Sequence, residues 1–377
     1  MKTGPHVQET LGLSVPLDTL GLMPPDPPIG RRALLKAAGV GAASLALPWN
    51  VERADASAMP KRAYYYLWWS KGHWHDKLGP NFPYGRSPLP LPATLNAAGC
   101  HAHSRYAGNS LTDVPRELYS QDQPAVIERH VRQARAARLN GFIANWRGSG
   151  NIAQGFHATP YTPRLVALLG AAKRSTAAGQ PFDVWLSYQA AASILPASSI
   201  IHDLRWLHAK LGGHSAWGRR GGQAVVIWTG SHHYPLTTLR EVSKAVRGHF
   251  FLVGDESPTT ISADRLKTFD GLSYYWSSQN PYANPQSFSQ LRALAHRVHA
   301  ANKPWFAPFA PGYQNQLEGG ICVPRRHGET LQRLYHGNRK SNPQAMCLIS
   351  WNEITEGTYI EPLRRYGDGY VKRTARL

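Results

Sequence analysis

From residue 60 onward, short runs rich in β-branched and aromatic residues alternate with longer stretches of helical periodicity, the pattern of repeated βα units. Eight runs read as strands, over 63–69, 141–147, 182–188, 224–229, 250–254, 271–276, 304–309 and 345–351. Between them, Thr162-Pro163 caps and opens a helix that Gly179 closes, and Asn284-Pro285 opens another in the same way. Over 124–139, Ile127, Val131 and Ala134 form one apolar stripe while Glu128, Arg129, Arg132 and Arg135 point elsewhere, as expected of a helix lying on a barrel. Right-handed crossovers would close such a sheet, so the expected fold is α/β, a single (β/α)8 TIM barrel over 59–377. Two stretches depart from the ideal. Residues 70–121, rich in Pro, Gly and His, form a long β1–α1 insertion, too long for an ordinary loop and expected to wall the cleft. Only fifteen residues follow Pro362, so the last helix must be short or replaced by an extended tail.

The chain's 377 residues, 42% hydrophobic with 34 Gly and 29 Pro, suit one large loop-rich domain rather than a disordered or fibrous protein. Before residue 59 the pattern changes. Gly30-Arg31-Arg32-Ala33-Leu34-Leu35-Lys36 leads into a weakly hydrophobic run, and Ala54-Asp55-Ala56 and Ala56-Ser57-Ala58 offer small-x-small cleavage sites. This resembles a twin-arginine export signal, so residues 1–58 are expected to be a leader and the remainder a periplasmic or extracellular domain. No 18-residue uninterrupted apolar stretch exists, and no stable membrane span is expected. The leader's basic and acidic residues balance, so the net charge of +19 belongs to the domain. Its Lys and Arg are scattered without a run of five, and no nucleic-acid-binding module is present, so nucleic acid is not an expected partner. Of three cysteines, Cys347 lies in an apolar run and reads as core, while a Cys100–Cys322 bridge is permitted by an oxidising compartment.

In a (β/α)8 barrel the reactive groups sit at the C-terminal ends of the strands. Here those ends are aromatic: Trp68, Trp69, Trp146, Tyr188, Trp228, Tyr275, Trp276 and Trp351. Aromatic faces stack on the C–H faces of sugar rings, although strand alternation also sends some of them into core layers. Carboxylates are fewer: Asp255 and Glu256 after the fifth run, then Glu353, Glu356 and Glu361 after the eighth. Glycoside cleavage needs one protonated and one ionised carboxyl flanking the anomeric carbon. Glu353 and Glu356 stand three apart on a tight turn, where mutual repulsion would hold one proton at neutral pH. The same spacing suits a capping or salt-bridging pair on a solvated turn.

The stretch 349–362, Ile-Ser-Trp-Asn-Glu-Ile-Thr-Glu-Gly-Thr-Tyr-Ile-Glu-Pro, resembles the signature of glycoside hydrolase family 99, the endo-α-1,2-mannosidase family and its bacterial relatives. The resemblance runs through Tyr64-Tyr65-Tyr66-Leu67-Trp68-Trp69, Pro124-Ala125-Val126-Ile127, Gly141-Phe142, Pro311-Gly312-Tyr313, Pro324-Arg325-Arg326-His327-Gly328-Glu329-Thr330 and Ser341-Asn342-Pro343. It implies that Glu353 removes the sugar 2-hydroxyl proton so that this oxygen attacks C1, and that Glu356 is the general acid and then the base. Retention of anomeric configuration would follow, with no metal or organic cofactor. It also implies a carbohydrate substrate contacted by Tyr66, Trp68, Trp146, Tyr188, Gln189, Asp255, Tyr275, Tyr313, Asn352 and Glu361. Two positions differ: the family's Glu-Trp-His-Glu reads Glu353-Ile354-Thr355-Glu356, and Gln189 stands where the mannosidases often present a strand-three carboxylate. The chain is thus more similar to the broad family 99-like group than to the characterised mannosidases.

Two other classes fit parts of the pattern. Loss of the strand-three acid suits a carbohydrate-binding barrel without turnover. His73-Trp74-His75-Asp76 and His101-Ala102-His103 would suit a metal-dependent hydrolase, but such a barrel also wants His after strands five and six, where Gly254-Asp255 and Trp276 stand.

Overall fold

The computed structural model describes residues 59–91, 111–149, 161–189, 194–314 and 321–377. Eight parallel strands close into a barrel: β1 (Lys61–Tyr66), β2 (Gly141–Trp146), β3 (Asp183–Gln189), β4 (Gln223–Thr229), β5 (Phe250–Asp255), β6 (Gly271–Ser273), β7 (Trp305–Phe309) and β8 (Ala345–Leu348). Each pairs with its successor, and β8 pairs with β1 through Lys61 to Met346, Arg62 to Cys347 and Ala63 to Leu348. All eight expected strands are present. The sixth and the eighth are each three residues shorter than expected, ending at Ser273 and Leu348; after the sixth, the Tyr275 amide donates to the Asp255 carboxylate instead of continuing the ladder.

The expected helices are present, although Thr162 and Pro163 lie inside theirs rather than capping it, because Tyr161 is already helical. Helix α1 (Lys71–Leu78) lies in the first connection, and α2 (Pro124–Ala136) buries Ile127, Val131 and Ala134 against the barrel, with proline in its first turn. Helix α3 (Tyr161–Ala177) stops two residues short of Gly179, whose φ of +73° only glycine adopts without strain. Helices α4 (Ala197–Leu211), α5 (Leu236–Val246), α6 (Ala263–Thr268), α7 (Ser287–Ala300) and α8 (Glu329–Arg339) follow the later strands. Asn284-Pro285 precedes α7 rather than capping it: the helix starts at Ser287, and the intervening residues form a turn. The last helix, α9 (Gly369–Ala375), is seven residues long, as the short tail requires.

The described parts of the 70–121 insertion have an apolar core of their own. Trp69, Trp74, Leu78, Phe82, Leu111, Val114 and Tyr119 pack with Ile354, Tyr359 and Leu363 from the segment after β8. The insertion therefore clamps the loop that carries Glu353 and Glu356. No helix among the described residues is long and apolar enough to cross a membrane. Cys347 is a buried free thiol and Cys322 is disulfide-bonded; Cys100, His101, His103 and the 1–58 leader lie outside the described residues.

Candidate active site

The segment after β8 folds back on itself. The Ser350 hydroxyl accepts from the Glu353 amide at 2.7 Å, and the Thr358 amide donates to the Glu353 carbonyl at 3.2 Å. Gly357 closes the turn at φ +64°, a conformation a β-carbon would strain, and its amide donates to the Ile354 carbonyl. From outside, the Gln314 amide donates to the Glu356 carbonyl at 2.7 Å, so the short strand Tyr313–Gln314 braces Glu356. Arg325 is stacked 4.4–4.6 Å from the rings of Tyr359, Tyr366 and Tyr370, and its Nη2 donates to the carbonyls of Gly357 and Tyr359.

This turn presents Glu353 in a buried position, 2% exposed, with Glu356 half-buried beside it. The Glu353 carboxylate accepts from the Thr355 amide at 3.1 Å and from the Thr355 hydroxyl. Burial, and then the charge of Glu356, raise the Glu353 carboxyl well above its ordinary value. Across from the pair stand Tyr66 at the end of β1 and Tyr275 after β6, their hydroxyls 2.6 Å apart. Burial, the nearby carboxylates and, for Tyr275, the Tyr66 hydroxyl push both phenols well above their usual range, so both stay protonated; one donates to the other, which leaves one proton of the pair to donate outward. Trp68 stacks on Tyr66 at 4.4 Å between ring centres and extends the aromatic face outward.

The raised value of this buried carboxyl has a consequence for stability. Folded Glu353 holds its proton more tightly than an unfolded glutamate, so its contribution falls as pH rises from 4.5 towards its folded value, and is level below that window where both states are protonated. Glu353→Gln, which keeps an acceptor for Thr355, is therefore expected to raise Tm near neutral pH, with the gain shrinking as pH falls towards 4.5 and absent below it. Calorimetric Tm measured across that range checks it.

Other sequence-predicted residues lie elsewhere. Trp146 and Tyr188 sit opposite each other in register but face the helical layer: the Trp146 indole donates to Thr162, and the Tyr188 hydroxyl donates to Asp203 at 2.9 Å. Asp255 accepts from the amides of Gly230 and Tyr275, so it positions Tyr275 with both oxygens occupied, and burial raises its carboxyl. Glu361 lies between the Tyr119 hydroxyl, 2.8 Å away, and His130 of α2 at 3.1 Å, beside a cavity of about 540 Å³ whose lining also includes Arg116 and Arg129 but neither Glu353 nor Glu356. Asn352 is fully buried, its amide bonding both the N–H and the carbonyl of Tyr66. It locks β1 to the carboxylate turn. Tyr313 is buried next to Gln314, which holds the Glu356 backbone.

Strand alternation places the expected Gln189 in a polar row whose other members, Asn145, Ser187 and Thr229, lay outside the sequence expectations. The Asn145 amide donates to Gln189 at 2.6 Å, and the hydroxyls of Ser187 and Thr229 are 2.6 Å apart. Asn145 pairs in register with Tyr66, and with Ser187, so these groups line the barrel interior beside the aromatic pair. A polar residue inside the fully buried strand Gly-Phe-Ile-Ala-Asn-Trp was the available signal. His73 packs against Trp68 and Trp69, whereas His75 stacks on Tyr84, and among the described residues no three His, Cys, Asp or Glu gather to hold a metal ion.

Fold and site together define a (β/α)8 barrel with an acidic pair, one member buried and one half-buried, at the C-terminal mouth beside aromatic side chains. No family model matches the sequence, and no curated protein matches it. Among solved structures the chain is similar to the GH99 endo-alpha-mannosidase from Bacteroides thetaiotaomicron, with TM-score 0.63 and 18% identity over 84% of this chain and 95% of that one. The bis-tris-propane complex of that enzyme gives the same figures. A glycoside hydrolase-like protein follows at TM-score 0.55 and 14% identity, over 84% of this chain and 93% of that one. These likenesses establish the fold.

Proposed function

We propose that the protein is a retaining glycoside hydrolase acting on an α-linked glycan, an α-mannoside or related polysaccharide, and that it is exported by the twin-arginine route. The observation that carries this reading is the meeting of Glu353 and Glu356 on one braced turn facing Tyr66 and Tyr275. The similarity to an endo-alpha-mannosidase fold supports the choice of substrate class.

In the reaction, the Glu353 carboxylate takes the proton of the sugar 2-hydroxyl, and that oxygen attacks C1 from the face opposite the leaving group. The C1–O bond breaks as Glu356 protonates the departing oxygen, leaving a 1,2-anhydro sugar. Glu356, now ionised, removes a proton from water, the water oxygen opens the three-membered ring at C1, and Glu353 returns its proton to O2. Two inversions give net retention. Of Tyr66 and Tyr275, both held protonated, one donates to the other, and that second hydroxyl donates to a substrate oxygen or to a carboxylate.

The active form needs Glu353 ionised, while burial and Glu356 favour its protonation. Because the two carboxyls titrate as a pair, burial and mutual repulsion delay loss of the pair's last proton, so the alkaline limb of kcat/KM against pH is expected well above 4.5, the ordinary glutamate value, and an alkaline limb at that value would contradict the shared-proton arrangement.

The test is incubation with α-mannan, α-glucan and bacterial exopolysaccharide, following released oligosaccharides and the anomer first formed by proton NMR. Release by the native protein with the α-anomer first supports the proposal. First appearance of the β-anomer removes the retaining mechanism. Glycan binding with no turnover by either the native protein or Glu356→Gln would instead mark a carbohydrate-binding barrel.

A further inference from the structure

Three arginines among the described residues are almost wholly buried, and two have obvious reasons to be there. Arg164 pairs with Asp122 at 2.7 Å and donates to the Leu67 carbonyl, and Arg325 donates to two carbonyls of the Glu356 turn. The third, Arg147, is 7% exposed and directly follows β2 at the mouth of the barrel. Among the described residues it forms no ion pair, and its Nε is buried without a hydrogen bond. Its guanidinium instead lies 5.0 Å from the Trp68 ring centre and 5.9 Å from that of Tyr161. Cation–π contact returns less than removing a cation from water costs.

Arg147 belongs to the site already described. Trp68 lies between it and Tyr66, and the charges acting on the Tyr66 phenol are Glu353, Glu356 and Arg147. Two further nitrogens in the same stack of side chains are buried without partners among the described residues: the Trp68 Nε1, a donor, and Nε2 of His73, a donor or acceptor according to tautomer, whose ring lies 5.8 Å from Trp68. His73 is kept neutral, its value pushed down to about 3 by burial and by Lys77, Arg147 and Arg164. The stack thus offers one fixed positive charge and unused N–H groups. A planar guanidinium presents paired N–H donors that match the two oxygens of a carboxylate, and its single charge balances a monoanion.

We infer that Arg147, with Trp68 and His73, forms a subsite for a carboxylate on the glycan, so that the substrate is an acidic polysaccharide containing uronic acid or an equivalent carboxylated sugar. This rests on the reading of Glu353 and Glu356 as the hydrolytic pair, but it is tested by binding, without turnover.

Titration of the full chain with glucuronate, galacturonate, glucose 6-sulfate, glucose and mannose, followed by tryptophan fluorescence and calorimetry, is the experiment. The expected result is at least about ten-fold tighter binding of a uronate than of its neutral counterpart, weakening with added salt. Arg147→Met should abolish that preference while leaving neutral-sugar affinity within about two-fold, and Arg147→Lys should restore it in part. Without ligand, Arg147→Met should melt at or above the native temperature, because it removes a buried charge that no anion among the described residues balances. Equal binding of charged and neutral sugars, an unchanged preference in Arg147→Met, or a lower melting temperature in that variant would overturn the subsite. Tighter binding of the sulfate than of the uronates would overturn its assignment to a carboxylate. If the uronate preference holds while Glu356→Gln turns over glycan as fast as the native protein, the subsite stands and the hydrolytic reading falls.

Discussion

Glu353→Gln and Glu356→Gln should each lower kcat by about two to four orders of magnitude on polysaccharide, the range that removal of a positioned acid or base produces. The losses should not add. Either variant breaks the single proton relay between the 2-hydroxyl and the leaving oxygen, so the double variant should be only slightly slower than the worse single one. Both variants should stay folded, because the turn is held by other groups: the Ser350 hydroxyl, the Thr358 amide, the Gln314 amide and Arg325. Initial rates alongside circular dichroism check this, and a variant that folds normally and keeps near-native rate would remove that residue from the chemistry.

Asn352→Ala should give the largest loss of stability near the site. Its side chain is fully buried and bonds the Tyr66 N–H at 2.8 Å and the Tyr66 carbonyl at 2.9 Å. Truncation leaves both backbone groups without partners in a site too enclosed to hydrate them freely, which should cost about 2–5 kcal/mol. Tyr66 and the carboxylate turn would also lose their common brace, so kcat should fall with the melting temperature. Asn352→Asp keeps one acceptor for the Tyr66 amide but sets a carboxylate against the Tyr66 carbonyl, and it should recover little. Chemical denaturation of both variants measures the effect; a loss under about 1 kcal/mol for Asn352→Ala would show that the clamp does not hold the turn.

The barrel was legible because each strand is a short apolar run bounded by helix caps and glycine, and this local chemistry is enough to find β1 to β8. The turn after β8 was also legible, through two glutamates three residues apart and a closing glycine. What the linear pattern hid was direction. Trp146 and Asn145 are neighbours, and a shift of one residue decides which faces the helices and which faces the barrel interior. Choosing the larger aromatic at β2 and β3 selected Trp146 and Tyr188, which face the helical layer, over Asn145 and Ser187, which face inward. Long-range partners were hidden for a different reason. Glu361 meets Tyr119 across 242 residues of sequence, and Asn352 meets Tyr66 across 286, so no local signal shows that either side chain is bound into the frame. The same holds for Arg147, whose significance is that no carboxylate among the described residues pairs with it.

Leaving-group dependence tests most directly whether Glu353 and Glu356 divide the base and acid roles. With a series of aryl α-glycosides of the sugar released from the natural polymer, Glu356→Gln should lose most on poor leaving groups and regain about ten-fold or more of its deficit on dinitrophenyl glycosides, which need no protonation. Glu353→Gln should be impaired by a similar factor across the whole series, because the 2-hydroxyl proton must be removed whatever departs. Equal dependence in the two variants, or rescue of Glu353→Gln rather than Glu356→Gln by the better leaving group, would contradict the assignment.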